Sequence, residues 1–164
     1  LPWTRVVDAA RELRDELARL SLESFVKTTG GKGLHLVVPL QPRHDWDTVR
    51  SFAEAVATGM TLRAPESYVA TMSKAKRRGK VFVDWLRNAR GATAVLPYSP
   101  RARTGVTVAM PVAWSELGRI DPHELTVLTV PKRLARWRVD PWADLLASRQ
   151  TLSREILSKL GRDH

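Results

Sequence analysis

Two short stretches of the sequence carry residue types that could act on phosphate groups. Residues 28–35 read TTGGKGLH, and residues 80–85 read KVFVDW. In the first, a glycine-rich turn with one lysine leads into an apolar strand, and such a turn can present several backbone N–H groups to an anion. In the second, an apolar strand ends in Asp84. Carboxylate oxygens are the ligands that Mg²⁺ prefers when it is shared with phosphates.

The glycine-rich turn does not fit the P-loop pattern. Its glycine spacing differs, and Lys32 is followed by Gly33 rather than by a Ser or Thr that leads a helix. The lysine and the hydroxyls of Thr28 and Thr29 could still assist a nest of backbone N–H groups in binding phosphate. For this segment taken alone, a plain hairpin turn stays an alternative.

His35 and Asp84 each have a functional and a structural interpretation. His35 lies in an apolar strand on the same face as Val37, where a histidine is commonly a hydrogen-bonded structural residue. Because His35 directly follows a donor-rich turn, a ligand-binding role is as well supported as a structural one. Asp84 ends an apolar strand, where a carboxylate costs free energy unless it is paired or bound to a cation. A divalent cation and an arginine partner are therefore both open for Asp84.

The pair Asp45 and Asp47 has the Asp-x-Asp spacing of a metal motif but lies where a helix is predicted to begin. We interpret Asp45 as the N-cap of that helix and Asp47 as a favourable charge in its first turn. The histidines show no zinc-like spacing, and no Ser–His–Asp arrangement is suggested.

The elements that must position these residues are predicted from the spacing of apolar residues. Helices are expected over residues 2–22, 46–60, 65–77 and 151–160, with short helical turns after residue 112. Strands are expected over residues 24–27, 34–40, 80–85, 93–96 and 107–109. The alternation of helices and strands predicts one mixed α/β (α+β) domain.

The charge balance favours a polyanionic partner. The 164 residues include 27 Lys and Arg against 17 Asp and Glu, a net charge of +10, and the basic residues cluster in KAKRRGK (74–80) and PKRLARWR (131–138). Such a surface attracts nucleic acid, although a solvated basic surface without a partner is the plain alternative. No apolar run approaches the ~20 residues of a membrane helix. Cysteine is absent, which excludes disulfides and fits a cytoplasmic protein.

Three segments together resemble a known family. SFVKTTGGKGLHLVVPL (24–40), MSKAKRRGKVFVDWLRNARGATAVLPYSPRAR (72–103) and MPVAWSEL (110–117) resemble the polymerase, or primase-like, domain of bacterial ligase D. That domain serves non-homologous end joining and belongs to the archaeo-eukaryotic primase superfamily. The resemblance runs in order through nearly the whole chain, and it implies a primase-polymerase-like sheet with flanking helices.

The resemblance also implies which residues act. TTGGKGLH is similar to the second motif of the superfamily and FVDW to the third. By position, His35 and Asp84 would be the catalytic residues, with Asp84 as a metal ligand. Nucleotide-binding residues would be Thr29, Lys32, His35 and Arg101, with less defined roles for Arg77 and for the Arg87–Asn88 pair. Arg103 is the alternative to Arg101, and Thr29 stands where the family more typically has serine.

By the same resemblance, the parent activity is template-dependent addition of nucleotides to DNA ends with Mn²⁺ or Mg²⁺. The implied partners are DNA ends, nucleoside triphosphates, the end-joining protein Ku and a fused or separate ATP-dependent ligase domain, in a cytoplasmic, nucleoid-associated setting. A non-catalytic, basic nucleic-acid-binding module is the rival interpretation.

The first family motif, a strand-borne Asp-x-Asp, is expected to precede Leu1. Residues 1–164 are therefore expected to form one partial domain, incomplete at the N-terminus and inactive alone. Its core is expected over about residues 1–147, with a peripheral helix in 148–164.

Overall fold

The computed structural model describes residues 1–160. In chain order its helices and strands are α1 (Trp3–Arg19), β1 (Phe25–Thr28), β2 (Leu34–Val37), α2 (Trp46–Arg63), β3 (Tyr68–Val69), β4 (Val81–Phe82), β5 (Pro111–Val112), α3 (Val130–Leu134) and α4 (Arg154–Leu160). Two short 3-10 helices lie at Ala75–Arg77 and Leu117–Arg119. None of the helices in this range is long and apolar enough to cross a membrane.

A three-stranded antiparallel sheet with the order β2-β1-β5 forms the centre of the fold. All residues of β1 are buried, because it is the middle strand and is covered by α1. Val26 and Met110 are fully buried, and they share one core cluster with Val7 and Ala10 of α1. The register places Lys27 opposite His35 on one side and opposite Pro111 on the other. The chain reversal between β1 and β2 therefore lies at the glycine-rich turn, as the sequence predicts.

Helix α2 begins where the sequence predicts. The Asp45 side chain accepts a hydrogen bond from Thr48 N at 2.8 Å. Hydrogen bonding to the Thr48 side chain, and next to its backbone N–H, lowers the pKa of the Asp45 carboxyl. Asp47 is an acidic residue in the first helical turn. The N-cap interpretation of Asp45 is confirmed, and it explains the Asp-x-Asp spacing without a metal.

The C-terminal segment packs into a second core cluster. Leu152 and Ile156 are buried together with Leu17 of α1, with Phe52 of α2 and with Leu22, which follows α1. Gln41 N also donates to Gln150 O at 2.9 Å. The segment predicted as a peripheral helix is thus tied to α1 and α2 through buried apolar side chains over its described part.

The helix predicted over residues 65–77 is wrong. This segment instead contains β3, a turn and the 3-10 helix Ala75–Arg77. Tyr68–Val69 pairs in parallel with Val81–Phe82, and Val81 N donates to Ser67 O at 2.8 Å. The apolar spacing within residues 65–77 is compatible with a helix. The strand forms instead because Tyr68–Val69 pairs with β4, which lies outside this segment.

Several predicted strands are shorter or absent. The strands predicted over 80–85 and 34–40 are reduced to Val81–Phe82 and Leu34–Val37, and residues 93–96 are irregular. Residues 107–109 form only isolated bridges, Pro100 with Val108 and Thr107 with Thr126. The backbone groups of these segments bond to side chains and turns rather than to a continuous ladder.

We expect the hydroxyl of Thr28 to be needed for stability. Thr28 is fully buried, and its Oγ1 accepts from Met110 N at 3.0 Å while donating to Val108 O at 3.3 Å. In Thr28→Val the buried Met110 N–H loses that acceptor, which should lower the free energy of unfolding by about 1–3 kcal/mol. Urea denaturation followed by circular dichroism measures it.

Thr61→Val is the matched control. Its hydroxyl donates to Ala57 O within α2 at 3.0 Å, and that carbonyl keeps its helical partner. A loss of about 0.5 kcal/mol or less is expected there. Equal losses in the two variants would contradict the role assigned to Thr28.

Candidate functional site

The turn between β1 and β2 directs its carbonyl groups inward. Thr29 N and Thr29 Oγ1 both donate to Gly33 O, at 3.1 and 3.0 Å. The Gly30 carbonyl accepts from Thr107 Oγ1 at 2.6 Å, and the Thr29 carbonyl from Arg101 Nη1 at 3.4 Å. The backbone N–H groups of residues 30–33 have no protein acceptor within the described chain. In the described chain the carbonyls of Gly31 and Lys32 also have no partner, but the four successive unbonded N–H groups could bind an anion as a nest does.

Gly30 is required by the way the turn approaches Arg101. Its φ is +66°, and a Cβ placed there would lie 2.5 Å from Arg101 Cγ and 3.3 Å from Ala109 N. Both the left-handed backbone and the lack of space exclude a larger residue. The glycine thus allows the arginine stem to cross directly over the turn.

Three cationic side chains surround the turn without a carboxylate partner. Lys32 is exposed at its tip, Arg101 crosses Gly30, and a Cβ built at Gly31 would lie 3.4 Å from Arg103 Nη1. None of these residues forms a salt bridge within residues 1–160. The sequence left Arg101 and Arg103 as alternatives, whereas the structure places both beside the turn.

His35 lies half-buried at the start of β2, among charged groups from several segments. Its pKa is lowered mainly because burial disfavours the imidazolium, and next by the positive charges of Lys27, Arg87 and Arg101. Asp84 acts in the opposite direction and raises the pKa. The net result is an imidazole that is neutral at neutral pH in the absence of a ligand.

The charge of Asp84 acts on His35, but the Asp84 side chain also contacts its sequence neighbours Leu86 and Arg87. It is exposed, its Oδ1 accepts from Leu86 N at 3.1 Å, and its Oδ2 lies 3.5 Å from Arg87 Nε. Within residues 1–160 no three His, Cys, Asp or Glu side chains are grouped so that they could hold a metal ion. The described residues do not by themselves fit a divalent-cation site, and we derive no step through a metal.

The remaining predicted residues make mainly structural contacts. The Arg77 guanidinium lies 3.6 Å from the centre of the Phe82 ring, and its Nε donates to Thr71 O at 3.2 Å. The Asn88 side chain donates to Trp85 O at 2.8 Å and closes a turn. Arg77 is not among the charged groups that shift the pKa of His35. The structure therefore brings His35, Asp84 and Arg101 together but keeps Arg77 and Asn88 in local contacts.

Lys27 is a site residue that the motif analysis missed. It is 3% exposed in the middle strand, and its Nζ donates to Val95 O at 2.7 Å. Burial, and next the charge of Arg101, lower its pKa to about 8. The signal in the sequence was a lysine within the strand FVKT, which has no other charged residue. A lysine buried in such a strand requires a specific partner.

Comparison with known proteins identifies the family of the chain. Residues 1–142 match the family described as LigD, primase-polymerase domain. The chain belongs to this family. The resemblance inferred from the three sequence segments is confirmed.

Three LigD proteins illustrate the match. The multifunctional non-homologous end joining protein LigD of Pseudomonas aeruginosa is 42% identical over 164 residues, which are 99% of this chain and 20% of that protein. LigD of Mycobacterium tuberculosis strain H37Rv is 39% identical over 132 residues, 80% of this chain and 17% of that protein. The bifunctional LigD of Bacillus subtilis is 33% identical over 132 residues, 79% of this chain and 22% of that protein.

The fold also matches a solved LigD domain. The polymerase domain from Mycobacterium tuberculosis ligase D in complex with DNA superposes with a TM-score of 0.81 at 38% identity, covering 92% of this chain and 52% of that one. The mixed fold predicted from the sequence is confirmed. The chain spans about one fifth of the length of these LigD proteins and about half of the solved domain.

We expect the pKa of His35 to respond in opposite directions to its two exposed neighbours. Arg87→Gln removes a positive charge and should raise the pKa, whereas Asp84→Asn removes a negative charge and should lower it further. Titration of the His35 ring signals by NMR measures both shifts. Arg90→Gln removes a nearby exposed charge that does not act on His35, so it should leave the pKa unchanged. Shifts of one sign in both variants would refute this charge arrangement.

Proposed function

We propose that this LigD-family chain supplies the triphosphate-binding part of a nucleotidyl-transfer site that adds nucleotides to DNA ends in non-homologous end joining. The supporting observation is the turn at residues 29–33. The N–H groups of residues 30–33 have no protein acceptor in the described chain, and Lys32, Arg101 and Arg103 surround the turn without carboxylate partners. Anionic phosphates are the ligands that satisfy both the donors and the positive charge.

In this proposal each residue acts on the triphosphate. The N–H groups of the turn bind phosphate oxygens, and Lys32 and Arg101 offset their charge as pyrophosphate leaves. Thr29 retains lone pairs but already donates its hydrogen to Gly33 O, so it holds the turn in shape. The negative charge of a bound triphosphate would raise the pKa of His35, which would then donate a hydrogen bond to a phosphate oxygen.

The family implies a divalent ion, Mn²⁺ or Mg²⁺, that activates the attacking hydroxyl when bound. Asp84 would be one carboxylate ligand of such an ion, and its Arg87 contact at 3.5 Å would have to loosen. Because residues 1–160 offer no group of three ligands, the other ligands would have to come from outside this range. The chain by itself is then expected to bind triphosphate without catalysing transfer.

The proposed partners follow from the charge and from the family. DNA ends and nucleoside triphosphates suit a chain with a net charge of +10. Arg77 and Asn88 would assist nucleotide or template binding only if their present contacts are exchanged. Association with Ku and with a ligase domain, in a cytoplasmic and nucleoid-associated setting, belongs to the same proposal.

A non-catalytic nucleic-acid-binding module is the second candidate. The observation that favours it is the ion pair of Asp84 with Arg87, together with the lack of a metal-ligand group in the described residues. The two candidates differ in their ligand. A triphosphate site binds the free nucleotide, whereas a binding module holds DNA and has no measurable affinity for nucleotide.

We expect Lys32→Gln and Arg103→Gln each to weaken binding of a nucleoside triphosphate by about tenfold, the loss typical of one charge-assisted phosphate contact. Within residues 1–160 neither side chain forms a salt bridge that its loss would disturb. Isothermal titration calorimetry of the chain with ATP measures the affinity.

Lys132→Gln is the control for charge alone, because Lys132 is exposed on α3 and makes the same change in net charge. It should leave the affinity unchanged. Equal weakening by all three variants would indicate non-specific attraction, and no binding by the unaltered chain would refute the triphosphate site.

We also expect the chain alone not to extend a primer, since one carboxylate cannot hold a catalytic metal pair. A gel assay with a labelled duplex bearing a recessed 3′ end, four ribonucleotides and Mn²⁺ tests this. Nucleotide addition at the rate of an intact polymerase domain would contradict the account of the missing ligands.

A further inference from the structure

Lys27 places a positive charge where the fold gains little from it. The residue is 3% exposed in the middle strand of the sheet, between His35 on β2 and Pro111 on β5. Its one hydrogen-bond acceptor within residues 1–160 is the neutral carbonyl of Val95, at 2.7 Å, and no carboxylate lies within ion-pair distance. The charged side chain that shifts the pKa of Lys27 is also positive, the guanidinium of Arg101.

Such a group opposes folding in its charged form. Removing an ammonium from water costs free energy that one neutral carbonyl does not repay, and a neighbouring arginine adds repulsion. The lowered pKa of Lys27, about 8, has these two causes. A methionine of similar shape would fill the same space without the penalty. Residues that cost stability in this way are commonly retained for function.

The contact of Lys27 holds a segment that has little other support. Residues 93–95 make no backbone–backbone hydrogen bonds within the described chain, and Leu96 is 71% exposed. Two cations bind the carbonyl groups of this segment. Lys27 donates to Val95 O, and Arg87 Nη1 donates to Thr93 O at 2.8 Å. Arg87 in turn lies beside Asp84.

We propose that Lys27 is a positioning residue of the triphosphate site, which fixes segment 93–96 through the Val95 carbonyl and thereby orients Arg87 beside His35 and Asp84. This proposal rests on the proposed function for its ligand, a nucleoside triphosphate. Its structural part does not depend on a ligand. This part is the hydrogen bond from Lys27 to the Val95 carbonyl, which we call the tether. The site is then organised by the middle strand of the sheet as well as by the turn that follows it.

Lys27→Met tests the tether in the ligand-free protein. Urea denaturation should show a stability equal to or above that of the unaltered chain at neutral pH, while the ¹⁵N heteronuclear NOE of residues 93–96 falls to values typical of a mobile loop. The control is Lys80→Met, which removes a comparable lysine–carbonyl bond, Lys80 Nζ to Pro65 O at 2.6 Å. It should leave the NOE of residues 93–96 unchanged. Unchanged NOE values in Lys27→Met would overturn the proposal.

The pH dependence of stability gives an independent readout. The charged group acting on Lys27 is Arg101, and His35 lies opposite on β2. Between about pH 8 and 10.5 the unfolded chain keeps the Lys27 proton while the folded chain releases it. Stability should therefore rise with pH over this window in the unaltered chain relative to Lys27→Met. A parallel pH profile in the two proteins would mean that the ammonium is not destabilised as inferred.

Binding of ATP tests the functional part. Lys27→Met should raise the dissociation constant about five- to tenfold, because Arg87 and segment 93–96 must then be ordered on binding. Lys27→Arg, which keeps a charged donor, should recover part of the affinity. A variant that is as stable as the unaltered chain and binds ATP equally well would overturn the positioning role. If the unaltered chain binds no ATP, the proposed function fails, while the NOE and pH readouts still decide the tether.

Discussion

The geometry of the site depends on the hydrogen bonds that join the end of β1 to residues 107–110. Thr28 N donates to Met110 O at 2.9 Å, and Thr28 Oγ1 accepts from Met110 N. Two residues after Thr28, the Gly30 carbonyl accepts a hydrogen bond from Thr107 Oγ1. These bonds fix the start of the turn, and the N–H groups of residues 30–33 have no protein acceptor in the described chain. Because unpaired buried polar groups are costly, the turn is held in one conformation before any ligand arrives.

Positive charge collects at the same place without local compensation. Lys32 lies in the turn and Arg101 and Arg103 flank it. None of the three has a carboxylate partner in the described chain. Asp84 is the acidic side chain that acts on His35, and it is shared with Arg87. This excess of charge opposes folding and favours an anion, which is the usual division between stability and function in a binding site.

Sequence reasoning succeeded where a pattern is local. Helices α1 and α2, the Asp45 cap, strands β1 and β2 and the turn between them follow from apolar spacing, capping chemistry and glycine. It failed for residues 65–77 and 93–96, because their conformations depend on distant partners: β3 pairs with β4, and Val95 O bonds to Lys27. The family was predictable because three segments, which include the second and third motifs, resemble it in order along the chain.

The sequence alone determined the turn, the position of His35 after it, the strand leading to Asp84 and the excess of positive charge. Only the tertiary structure decided which cations serve the site. Arg101 and Arg103 both flank the turn. Arg77 lies on Phe82, and Lys27 is buried on the strand beside His35. The physical reason is that local patterns fix backbone conformation. The surroundings of a charged side chain, by contrast, depend on residues far away in the chain that folding brings within a few ångströms.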